Sequence, residues 1–210
     1  MLFRSRTAAE VFRRRGYHGA SVEQIAGALN MTKGNLYYYF KNKEEILFTC
    51  HDYALDVIQE HLEIVRRSDL PIDQKVHAVI RGFVLLFTDV LHGTAWTLEL
   101  EALSPALLKR IVARRDRVDR AFRQLLRQGM SAGVFASRDA TLATFAIMGA
   151  INWVPLWFTP SGRVRAEDIA TAFADLLVGG LLMPATGPSA AAVRVGSDPV
   201  RPPRGGRRAR

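Results

Sequence analysis

With 210 residues, 49% of them hydrophobic and 23% charged, the chain can bury a sizeable core and lacks the bias of collagen-like or disordered sequences. The formal charge of +9 is unevenly placed: residues 1–50 hold eight Lys/Arg against four Asp/Glu, residues 194–210 six against one, and residues 51–193 fifteen against fifteen. A basic head that meets a polyanion, a neutral body and a basic tail are therefore expected. Cys50 is the only cysteine, which excludes an intramolecular disulfide and any need for an oxidising compartment. The start, MLFRSRTAAEVF, spreads its arginines through the stretch instead of placing them ahead of an apolar run. It is not expected to be a signal peptide, and a cytoplasmic location follows.

Periodicity is helical almost throughout, so an all-α fold is expected. The first helix is predicted over Leu2 to Arg15, with Phe3, Ala8, Val11 and Phe12 on its apolar face, and Gly16 and Gly19 bracket a break. Ser21 reads as the N-cap of a short helix ending near Leu29, and Gln24 three residues on completes a capping box. Thr32 caps a third helix, in which Leu36 and Phe40 form an apolar i, i+4 pair. A fourth begins after Lys41-Asn42-Lys43, with Glu44 and Glu45 at the positive end of its dipole. Further helices are predicted over 44–67, 72–92, 95–103, 105–132, 139–158 and 166–182. The organisation expected is a head over 1–47, a larger six-helix or so body over 48–183, and a disordered basic tail over 184–210.

Two short helices joined by a tight turn, inside a segment of net positive charge, describe a helix-turn-helix. Over residues 3–50 the chain resembles the TetR family of bacterial transcriptional regulators. The matching residues are Ala8-Ala9-x-x-Phe12, Gly16-Tyr17, Ser21-Val22-x-x-Ile25-Ala26 and Gly34-Asn35-Leu36-Tyr37-Tyr38-Tyr39-Phe40-x-x-Lys43-Glu44-x-Ile46-Leu47. The resemblance implies three DNA-binding helices, a helical body for ligand binding and dimerisation, and a homodimer placing two recognition helices in successive major grooves of an operator. It also implies that Tyr37 and Lys43 hold DNA phosphates. Thr32, Lys33, Gly34, Asn35 and Tyr38 are placed to face the groove, where a lysine reaches guanine acceptors and an asparagine pairs with adenine. Ser21, Val22 and Gln24 open the supporting helix within reach of the flanking backbone, and Tyr39 is either a backbone contact or a packing residue.

For the body, the candidate ligand lining is Phe83, Phe87, Trp96, Leu100, Phe122, Leu126, Phe145, Met148, Trp153, Trp157 and Phe158, all of which also suit an ordinary bundle core. An apolar or partly apolar effector is the expectation. The stretch Asn152 to Gly162, with Ile169 to Leu181, resembles the TetR subgroup that regulates fatty-acid and sterol breakdown and responds to acyl-CoA thioesters. In that subgroup the last two helices form the dimer's four-helix bundle, and an aromatic near Trp153 helps form the ligand site. Gly149 stands where an arginine for a CoA phosphate is expected, one turn before Trp153. Phosphate contacts would then fall to Arg114, Arg115, Arg117, Arg120 or Arg123, a series that also reads as a solvated helix face.

Residues 140–162 carry no charge for 23 positions, long enough for a membrane span, but Thr141, Thr144, Asn152 and Pro155 interrupt the run. A buried or subunit-contact helix is expected there, with no membrane partner. No histidine pair has metal-ligand spacing and no phosphate loop or nucleophile elbow is present, so no metal, cofactor or enzymatic activity is expected. The leading expectation is a ligand-responsive repressor, ahead of a constitutive dimeric DNA-binding protein and a membrane-anchored helical protein.

Overall fold

Capping explains where the first helices begin. The structure, a computed structural model, describes residues 2–90 and 99–182. Helix α1 spans Leu2–Gly19, α2 Val22–Ala28, α3 Lys33–Tyr39 and α4 Lys43–Arg67. Ser21 Oγ accepts from the Gln24 amide at 3.2 Å while Gln24 Oε1 accepts from the Ser21 amide at 3.0 Å, closing the capping box before α2. Thr32 Oγ1 accepts from the Asn35 amide to start α3, and Asn42 Oδ1 accepts from the Glu45 amide to start α4. Between α2 and α3 the chain turns at Asn30, whose φ of 54° is one that asparagine tolerates better than most residues. Helical bonding in α1 continues past the expected end at Arg15. Gly16, at φ 70°, nevertheless kinks the helix there.

The body consists of α5 (Ile72–Leu85), α6 (Pro105–Ser131), α7 (Ala140–Trp157) and α8 (Ala166–Gly179). Helix α5 was expected to reach residue 92. Its α-helical bonding ends at Leu85 and a π-helical turn follows over Leu86–Val90, where Thr88 Oγ1 bonds back to the Val84 carbonyl. A helix over 95–103 is not formed as expected: Glu99 is extended and only a 3₁₀ turn, Leu100–Ala102, precedes α6, while 95–98 lie outside the described residues. Gly180 was expected inside the last helix. It ends α8 instead, its amide bonded to the Leu176 carbonyl. The basic tail lies outside the described residues.

One continuous core links head and body. Ala8, Phe12, Ile25, Ala26, Leu36 and Phe40 close the three-helix head over the first turns of α4, where Ile46 and Leu47 are buried with them. The position 47/48, expected to divide the domains, therefore falls inside α4. Further along, α4 packs against α5 and α6, and α5 packs broadly on α8. Cys50 is buried with its thiol pushed up to about 12 by desolvation, its Sγ donating to the Ser5 carbonyl. Among the described residues there is no strand, only an isolated bridge between Phe135 and Leu182.

Candidate nucleic-acid interface and ligand groove

Helix α3 has seven residues, and Leu36 is the one it buries. So short a helix is not stable alone, and here Leu36 and the following Phe40 anchor it. The anchoring leaves Lys33, Gly34, Asn35, Tyr37, Tyr38 and Tyr39 on the outside, together with Thr32, whose hydroxyl serves as cap. Tyr38 is 84% exposed and meets Tyr39 edge-on at 5.2 Å. In helix α2, Gln24 is exposed and Ser21 and Val22 are half-buried, with the Ser21 and Gln24 side chains engaged in the capping box. Beside them a groove of about 720 Å³ between α1 and α2 is lined by Arg6, Arg14, Arg15 and the Glu10 carboxylate.

Two lysines are held by partners that the sequence did not reveal. Lys33 Nζ lies 2.5 Å from Glu23 on α2, and that ammonium holds the Glu23 carboxyl down at about 2. Lys43 Nζ donates to the carbonyls of Tyr17 at 2.8 Å and Ala20 at 3.0 Å, and stands 4.5 Å from the Tyr17 ring centroid. These bonds place a cation at the end of α1, where its dipole favours one. The phosphate role implied for Lys43 thus falls on a group already tying α4 to α1.

The residues expected to line one ligand site separate into different places. Phe83, Phe87, Phe122 and Leu126 are closed into the core, with Phe83 6.5 Å from Phe87 and 6.4 Å from Phe122 between ring centroids. Leu100 and Phe158 are half-buried, and Trp96 lies outside the described residues. Phe145, Trp153 and Trp157 sit on the outer side of α7, 59%, 64% and 46% exposed. Phe145 and Met148 come together with Asn152 and the α6 residues Arg115, Arg120 and Arg123 around a groove of about 530 Å³. Burial in its wall pulls the Arg115 guanidinium down to about 10.

Arg114 turns the other way. Its guanidinium bonds Asp52 at 2.5 Å, Asp56 at 2.5 Å and Gln59 at 2.6 Å, strapping α6 to α4, and Arg110 stacks on the Phe48 ring at 4.5 Å. Glu44, on the first turn of α4, accepts from the Ser104 amide at 2.7 Å, the residue before α6, while Glu99 Oε1 faces the Tyr17 amide at 3.4 Å. These links between head and body have sequence separations of 60 and 82, which no local pattern exposes.

An exposed second helix on a basic three-helix head, continuous with a helical body, defines a helix-turn-helix DNA-binding regulator. Residues 6–50 match the bacterial regulatory proteins of the tetR family, and residues 69–181 match the tetracyclin repressor-like C-terminal domain. The chain belongs to the TetR family. It is similar to the fatty acid metabolism regulator protein of Bacillus subtilis (strain 168), 27% identical over 83% of this chain and 91% of that one. Among solved structures it is similar to the TetR family transcriptional regulator PfmR from Thermus thermophilus, 31% identical with a TM-score of 0.77 over 86% of this chain and 99% of the other. It is also similar to AibR in complex with isovaleryl coenzyme A and operator DNA, 30% identical with a TM-score of 0.74 over 86% and 96% of the two chains.

Proposed function

We propose that the protein is a cytoplasmic, homodimeric repressor, released from a palindromic operator by an acyl-CoA thioester. The observation that carries the DNA-binding half is the outward set on α3: a helix with one buried side chain offers Lys33, Asn35 and Tyr38 to base edges. Tyr37 and the residues opening α2 address the phosphates. Two copies are needed, because one seven-residue helix makes too few contacts for a specific site.

The dimer reading is supported by Leu142, Trp153, Leu156 and Leu176, 58–74% exposed on α7 and α8. A single soluble subunit rarely leaves so many large apolar side chains wet, and a second copy is the simplest cover. Helix α7 is long and apolar enough to cross a membrane by length and composition, but helices in soluble bundles share that property. The effector reading draws on the regulator of fatty acid metabolism and on AibR, whose structure holds isovaleryl coenzyme A.

The test is fluorescence anisotropy at about 0.15 M salt, where non-specific phosphate binding is weak, on a palindrome selected from random DNA. Acyl-CoA thioesters of graded chain length are added, with free CoA and free fatty acids as controls. At least one thioester is expected to lower operator affinity about tenfold or more, within the range of allosteric couplings. Undiminished affinity across the series would remove the effector assignment, and equal affinity for random DNA would remove the regulator assignment.

A further inference from the structure

The groove of about 720 Å³ on the head takes its walls from α1 and α2 and includes no residue of α3, so the recognition helix leaves it unused. Along the α1 wall Arg6, Arg14 and Arg15 are exposed. The carboxylate in the lining, Glu10, is already answered twice. Arg13 donates to it at 2.8 and 2.7 Å and Arg14 at 2.5 Å, and these bonds, the Arg13 pair foremost, hold its carboxyl down at about 2. Three guanidinium groups against one carboxylate leave the lining at +2, and Arg13 adds a further charge beside it. The α2 wall is low: Gly27 and Ala28 are exposed, and a Cβ built on Gly27 meets nothing within 4 Å.

Guanidinium groups standing over small residues suit an extended chain of phosphates, which the arginine forks can grip while the backbone comes close at Gly27. Gln24 lies in the same lining and joins the groove to the opening of α2. In a helix-turn-helix the second helix enters the major groove and the first crosses the phosphate backbone. With α3 and α2 so placed, the groove on the α1 side of α2 falls about one helix diameter, ~10 Å, further along the duplex. That distance is about three nucleotide steps of a strand.

We propose that the α1–α2 groove binds the phosphate backbone flanking the operator and extends the DNA interface onto α1. Arg6, Arg14 and Arg15 are its sequence-independent anchors, and Gly27 is the point of closest approach. The inference rests on the reading of the head as DNA-binding and adds a surface outside the helix-turn-helix pair.

The experiment is fluorescence anisotropy of the full-length protein on two duplexes that share one selected operator. One duplex stops at the last base pair whose identity affects binding, and the other carries about six more base pairs of random sequence on each side, enough to pass the groove at the spacing above. The longer duplex is expected to bind about tenfold more tightly at ~0.1 M salt and with a steeper salt dependence. Arg6→Ala and Arg15→Ala are each expected to remove most of that gain and to reduce the log–log salt slope by about 0.9 per head, the amount for one phosphate contact, while changing binding to the short duplex little. Position 27 gives a charge series that the fold tolerates, because the site is open and glycine is a poor helix former. On the longer duplex Gly27→Glu is expected to bind about tenfold more weakly than Gly27→Gln, and Gly27→Arg more tightly. Arg67→Ala removes the same charge from the last turn of α4, at the opposite end from the head, and is expected to leave both duplexes unaffected.

Equal affinity for the two duplexes, with unchanged salt slopes in the arginine variants, would overturn the groove and leave the regulator reading standing. An equal loss from Arg67→Ala would also overturn it, since the effect would then belong to net charge alone. If no palindrome is preferred over random DNA the regulator reading falls, whereas a reduced slope for Arg6→Ala and Arg15→Ala on random DNA still supports the groove.

Discussion

At the scale of single residues, the histidine and lysine environments lead to measurable consequences. His61 Nε2 lies 3.2 Å from the Ala78 carbonyl, and its ring fills the space above Gly82, where a Cβ would stand 2.0 Å from that nitrogen. Burial lowers its pKa below the usual 6.5, although the carbonyl partly opposes the shift. The unfolded chain therefore takes up this proton first as pH falls through 6.5. The stability linked to His61 is full above that pH and is lost on the way down to the lower folded value. In urea melts between pH 7.5 and 5, His61→Gln is expected to show a flatter pH dependence than the native chain; a steeper one would contradict the burial argument. On the outer side of α2 and α3, Glu23 neutralises Lys33, and both are exposed. Glu23→Gln should free that ammonium for a base edge and strengthen binding to operator more than to random DNA, several-fold at low salt and less as salt rises. An unchanged affinity at low salt would mean that Lys33 does not meet the DNA. Lys33→Ala, by contrast, leaves the Glu23 carboxylate unopposed beside the phosphates, so its cost combines a lost contact with a new repulsion.

Among the elements, α3 shows how a run of aromatic residues divides by helical direction. Leu36 points inward, and Tyr37, Tyr38 and Tyr39 spread around the remaining surface because successive side chains on a helix lie about 100° apart. The position of α3 depends on α1 and α4, and Lys43 is the pin between those two. Lys43→Met keeps much of the aliphatic stem but removes both bonds to the end of α1. A loss of about 1–3 kcal/mol is expected from the unpaired carbonyls, read as a lower urea midpoint. Operator affinity should fall with it, because the head loses its alignment. A variant of native stability with the same DNA deficit would instead assign Lys43 directly to phosphate.

For the whole molecule, polar contacts at defined points join body and head beside the shared core. Helix α6 presents Arg120 and Arg123 to the groove, Arg114 to α4, and its preceding residue Ser104 to Glu44. These contacts connect α6 directly to α4, the helix that carries the head, and Glu99 reaches the Gly16-Tyr17 kink from the same segment. The double variant Glu44→Gln, Glu99→Gln weakens charge-assisted bonds while leaving the core untouched. It is expected to keep operator affinity without effector and to reduce the change on adding effector by about 0.5–2 kcal/mol of coupling. The comparison is a pair of anisotropy titrations, and undiminished coupling would place the transmission elsewhere, in the α4 contacts of Arg114.

Local chemistry determined much of the first 50 residues. The Ser21 and Gln24 capping box, the Thr32 cap and the spacing of Leu36 and Phe40 are all short-range signals, and helix starts and faces follow from hydrogen bonds and contacts within four residues. The body was legible only as helices with apolar stripes. An aromatic at helical spacing has the same pattern whether it packs as Phe83 does, lines a groove as Phe145 does, or faces outward as Trp153 does. Which of these it does depends on which helix stands opposite, and that is set by contacts far apart in sequence. The pairing of Lys33 with Glu23, the straps from Arg114, Glu44 and Glu99, and the placing of Arg123 and Asn152 around one groove between α6 and α7 were decided by tertiary structure alone. Sequence periodicity records the face a residue occupies on its own helix and carries no information about the group that face will meet.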